Sequence, residues 1–87
     1  MRHSPQQASD GQLWHMLDVP TVWLVRTDAG PLRPQHTLRE ALWQAWSARD
    51  DGGSVASILK LPDSDTVIET PQIRRLTVRL ARTSQAE

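Results

Sequence analysis

Three histidines, His3, His15 and His36, are the side chains of this chain best suited to hold a metal or to move a proton near neutral pH. They are scattered. A zinc site needs a tetrahedral cluster of histidine, cysteine or carboxylate ligands, and the chain has no cysteine to help complete one. His3 lies in a polar N-terminal stretch, His15 at the edge of a short amphipathic segment, and His36 just before a helix start. Asp63-Ser64-Asp65 with Glu69 has the look of half a calcium loop, but the turn-making glycine and the remaining oxygen ligands are missing. Asp50-Asp51 reads as a polar helix end, although acids there oppose the helix dipole. No serine sits in a glycine-flanked elbow. With only four glycines, no loop is left to cradle a phosphate. The sequence therefore predicts no catalytic, cofactor-binding or metal-binding residue, and a protein that is not an enzyme.

The chemistry that remains is recognition. Nine of the ten basic residues are arginine, Lys60 being the exception, and Arg74, Arg75, Arg79 and Arg82 fall close together near the C-terminus. On a helix Arg75, Arg79 and Arg82 would form one outward stripe, with Arg74 to one side. A guanidinium forks onto carboxylate or phosphate equally well. Four tryptophans, Trp14, Trp23, Trp43 and Trp46, supply all the aromatic surface, because phenylalanine and tyrosine are absent. Tryptophan and arginine are the residues most enriched at interface hot spots. Trp23 sits in a strand-like run and Trp46 on the apolar face of a helix, so both are expected in the core. Trp14 and Trp43 are expected toward the surface, and Trp43, beside Arg39, is the leading contact residue. The predicted interaction set is Trp14, Arg39, Trp43, Arg75, Arg79 and Arg82.

These residues need a frame, and composition limits it. Eighty-seven residues make one domain, too small to bury more than about two thirds of its unfolded surface. Ten acidic residues balance ten basic ones, which argues against a dedicated polyanion binder. No apolar run is long enough to span a bilayer, and the N-terminal residues lack an apolar signal core. The absence of cysteine fits a reducing cytoplasm. The arginine and alanine bias suggests a GC-rich bacterial genome.

Local signals mark the elements. Ser9 and Gln12 have capping-box spacing, and Leu13, Trp14, Met16 and Leu17 follow at helical spacing, so a short helix is predicted over 10–17, ended by Pro20. Thr21 to Thr27 is the clearest strand, apolar on both faces in its middle and therefore expected to be central and covered on both sides. Asp28 to Pro34 reads as a turn and short connection. Thr37 and Glu40 form a second box ahead of Leu38, Ala41, Leu42, Ala45 and Trp46 on one helical face, with Gly52-Gly53 as the stop. Residues 54–61 and 66–69 form a hairpin across Pro62-Asp63-Ser64-Asp65. From Thr70-Pro71 onward the start signal favours a helix, although Leu76, Val78 and Leu80 also alternate as in a strand.

The prediction is a small α+β domain of order α-β-α-β-β-α, with a three-stranded sheet packed by two or three helices. A fourth strand would join if residues 71–82 were extended. The crossover helix would set one hairpin strand parallel to the first strand. Residues 9–82 form the domain, with residues 1–8 and 83–87 as loose ends. Its function is expected to be that of a small regulatory or inhibitory accessory protein in the cytoplasm. It would bind another protein, or a second copy as a homodimer, through a Trp/Arg patch. The alternative is a nucleic-acid-binding regulator using the C-terminal arginines. A membrane partner is not expected.

Overall fold

The computed structural model describes residues 8–50, 52, 54–62 and 66–85. Both predicted capping pairs open helices, the first as a complete box and the second with only the hydroxyl half, since Glu40 takes the Thr37 hydroxyl and not its N–H. Ser9 Oγ accepts the Gln12 N–H at 3.2 Å, and Gln12 Oε1 accepts the Ser9 N–H at 2.8 Å, starting α1 (Asp10–His15). Thr37 Oγ1 accepts the Glu40 N–H at 3.2 Å and donates to Glu40 Oε1 at 3.1 Å, starting α2 (Leu38–Asp50). Gly52, at φ 89°, donates its N–H back to the Arg49 carbonyl at 3.0 Å and stops α2 as expected. The acidic turn residues 63–65, together with His3, Asp51 and Gly53, lie outside the described residues.

The strands are β1 (Trp23–Thr27), β2 (Gly30–Pro31), β3 (Val55–Lys60) and β4 (Val67–Glu69), and α3 (Thr70–Gln85) follows β4 directly. They form one sheet in the order β2-β1-β3-β4. Every pairing is antiparallel, which corrects the parallel strand expected from a crossover. The reason lies in the connection after β1. Thr27 Oγ1 accepts the Ala29 N–H at 3.1 Å and donates to the Gly30 carbonyl at 2.8 Å, closing a tight turn in which Gly30 takes a φ of 120°. The chain then runs back along β1, where the Leu32 N–H donates to the Val25 carbonyl and Gln35 and Trp23 exchange a pair of hydrogen bonds. Helix α2 therefore starts beside the beginning of β1, not its end, and β3 enters antiparallel. The fourth strand is thus Gly30–Pro31, from the segment read as a connection, while residues 71–82 are helical.

One face of the sheet carries the core. Trp23, Val25, Ile58 and Ile68 point inward and pack with Leu38, Ala41, Leu42 and Ala45 of α2 and Ile73, Leu76 and Leu80 of α3. Buried positions on α3 recur at helical spacing, which settles that segment against a strand. The helix runs on to Gln85, past the expected domain edge at residue 82. Thr77, buried on the same face, shares its hydroxyl proton between the carbonyls of Ile73 and Arg74. Thr70 Oγ1 donates to the Val55 carbonyl at 2.9 Å and ties the start of α3 to the sheet. Helix α1, shorter than the predicted 10–17, lies on α3 and adds Leu13 to the core, and the turn after it adds Leu17. The opposite face of β1 is only half-covered, because both long helices sit on the Trp23 side. The expectation of a strand buried on both sides is corrected accordingly.

Candidate functional site

The predicted interaction residues separate into two groups. The first group holds the protein's own parts together. Arg75 Nε and Nη2 reach the two carboxylate oxygens of Asp10 at 2.7 and 3.2 Å, and Gln72 Nε2 adds a bond to Asp10 Oδ1 at 2.9 Å. Gln72 also donates to the Ala8 carbonyl. One turn on, the Arg79 guanidinium lies 4.1 Å from the centre of the Trp14 ring, a cation–π contact. Together these clasp α1 onto α3. Trp14, expected to be exposed, is half-buried beneath Arg79 for this reason. Arg39 is likewise engaged, forking onto Asp18 at 2.8 and 3.0 Å and so pinning the loop after α1 to the first turn of α2.

Charge fixes how the clasp responds to pH. The Arg75 hydrogen bonds hold the Asp10 carboxyl below the usual carboxylate range, and Arg39 does the same for Asp18. An unfolded aspartate titrates near pH 4, and the folded group titrates lower. The clasp therefore has its full strength above about pH 4 and loses it as pH falls through the folded value. Thermal melts of the native sequence and of Asp10→Asn test this: the variant is expected to be less stable at pH 7, with the gap smaller at pH 3. A gap of equal size at both pH values would contradict it.

The second group faces outward. Trp43 is 36% exposed, and its ring meets Trp46 edge-on, with centroids 6.4 Å apart and an interplanar angle of 74°. Trp46, expected in the core, is half-buried at the seam where the end of α2 meets the start of α3. It overlooks a cleft of about 200 Å³ lined also by Arg49, Val55, Ile73 and Arg74. Next along the same surface come Arg74 and Val78, the latter 37% exposed, and then Arg79 and Arg82. Among the described residues Arg49, Arg74 and Arg82 have no ion-pair partner. Helix α3 contains no acidic residue, and among the described residues Asp50 is the one acid lining this surface.

Trp46, Arg49, Arg74 and Val78 were not in the predicted set. Their signal was present as spacing: Trp43, Trp46 and Arg49 recur every three residues on α2, and Arg74, Val78 and Arg82 every four on α3. Each series makes one ridge. That the two ridges lie side by side depends on how the helices pack. Among the described residues no three histidine or acidic side chains converge, and no helix is long and apolar enough to cross a membrane. No family model matches the chain, and neither a curated protein nor a solved structure matches it.

Proposed function

We propose that this domain is a non-enzymatic interaction module, a cytoplasmic accessory or regulatory protein. It docks an acidic protein segment with an apolar stripe on the outer face of α2 and α3. The observation that carries this reading is the Trp43–Trp46 pair, two indoles outside the core set edge to face and flanked by Arg49 and Arg74, which have no ion-pair partner among the described residues. Large aromatic anchors with arginine at the rim are the usual make-up of an energetic contact centre. An amphipathic helix fits such a ridge-lined groove, with leucine toward Val78 and Trp46 and carboxylates toward the arginines. A second copy fits this face poorly, since a two-fold would set arginine against arginine. Nucleic acid is less favoured, because Arg75 and Arg79 are held by Asp10 and Trp14 rather than turned toward phosphates.

Tryptophan emission reads the docking directly. A helical peptide with one leucine stripe and glutamate flanks is expected to shift the emission of Trp43 and Trp46, and its lysine-flanked counterpart is not. Arg49→Glu with Arg74→Glu is expected to weaken the glutamate peptide at least about tenfold while leaving circular dichroism unchanged. Equal response to both peptides, or tighter binding of a DNA duplex at the same salt, would replace this reading.

A further inference from the structure

The open face of the sheet carries a pattern that the helical face does not. Residues directly paired across antiparallel strands share a face. Val25, Ile58 and Ile68 are paired in register and all buried. Their chain neighbours therefore point the other way. One row on that side is Leu24–Leu59–Val67 across β1, β3 and β4, and the next is Arg26–Ser57–Glu69. Leu24, Leu59 and Val67 are half-exposed and neither belong to the core nor pack against it. Val22 and Leu61, joined by a hydrogen bond of 2.9 Å and also half-exposed, extend the apolar strip. No described helix lies over it. Arg26 and Glu69 are exposed and have no ion-pair partner among the described residues. Strand β3 lies between them, so they are two strand spacings or about 10 Å apart and do not pair within one chain.

We propose that this face binds a second copy of the chain, sheet against sheet, about a two-fold axis running along β3. The charge pattern selects that occupant. Such an axis exchanges the positions of β1 and β4 while leaving each row at its own height. Leu59 then meets Leu59 of the other copy, Leu24 meets Val67, and Arg26 meets Glu69. Two reciprocal ion pairs close the ends of one row, around Ser57 at the axis. Sheets packed face to face lie about 10 Å apart with strands about 30° off parallel. At one strand from the axis this rotation displaces a group by only a few Å, within the reach of arginine and glutamate. A self-complementary patch is what an isologous dimer requires. The dimer leaves both α2/α3 faces free on its outer sides, so it presents two docking faces to a partner.

Sedimentation equilibrium on the full chain tests the proposal, with circular dichroism to show that each variant folds. The native sequence is expected to be a dimer and Leu59→Lys, which sets two ammonium groups against each other at the axis, a monomer. Arg26→Glu and Glu69→Arg are each expected to weaken the dimer at least about tenfold, because each change places like charges at two symmetric positions. The double swap Arg26→Glu with Glu69→Arg is expected to return the affinity to within a few-fold of native, and Trp43→Ala to leave it unchanged. A native monomer at every concentration, an assembly indifferent to Leu59→Lys, or a double swap as weak as either single change would overturn it.

Discussion

Trp23→Ala is expected to remove a large share of this domain's stability. Trp23 opens β1, is fully buried, and is the largest side chain sealed in the core. Removing a buried indole costs about 3–5 kcal/mol, the lost transfer energy plus the cavity left behind. A chain of this size has only about 4–13 kcal/mol to lose, at roughly 0.05–0.15 kcal/mol per residue. The loss is hard to repair, since the cavity would open between the sheet and rigid neighbours on α2. Trp23 also brings a liability: its Nε1 is buried without a hydrogen-bond partner among the described residues. A stranded donor costs about 1–3 kcal/mol. Trp23→Phe removes that donor along with part of the ring, so it is expected to cost much less than the alanine change. Urea unfolding of the two variants beside the native protein decides this. A phenylalanine variant as unstable as the alanine variant would show that the indole N–H is no liability and that retained ring volume does not rescue this site.

Trp46→Ala is expected to separate docking from folding. Its ring is half-buried, so truncation removes roughly 1–2 kcal/mol of stability by the area it covers, and the domain stays folded. At a contact centre the same change costs about 2 kcal/mol or more, which is roughly a thirtyfold loss of affinity. The edge-to-face contact ties the two indoles together, so Trp43→Ala is expected to lose affinity as well, with a smaller effect on stability. Titration of the glutamate-flanked leucine peptide, read by calorimetry because the fluorescent groups are being removed, measures both. Unchanged affinity in the two variants would remove the indoles from the docking surface.

Much of this architecture could be read locally. Ser9 with Gln12 and Thr37 with Glu40 open helices because the satisfied groups lie within one turn. Thr70-Pro71 opens α3 because proline is pre-set for a first helical position and cannot continue the strand before it. The hairpin pair β3 and β4 also followed from alternation and turn chemistry. The errors came where a residue's surroundings are built from distant chain. Gly30–Pro31 looked like a connection because two residues carry no strand period; they pair only because the turn at Thr27 returns the chain along β1. That return also inverted β3.

The interaction residues divide along the same line. Composition alone established that four indoles supply all the aromatic surface of this chain, that nine arginines and one lysine supply its basic charge, and that it has no cysteine. Which of them face water was a matter of packing. Trp14 and Arg79 meet across α1 and α3, Arg75 meets Asp10 from the far end of the sequence, and Trp46 lies half-buried on the cleft between the end of α2 and the start of α3. Helical spacing reports which side chains share a face, since that is a property of one backbone. It carries no information about what lies opposite the face, because that is set by long-range contacts between segments whose order and direction only the closed sheet determines.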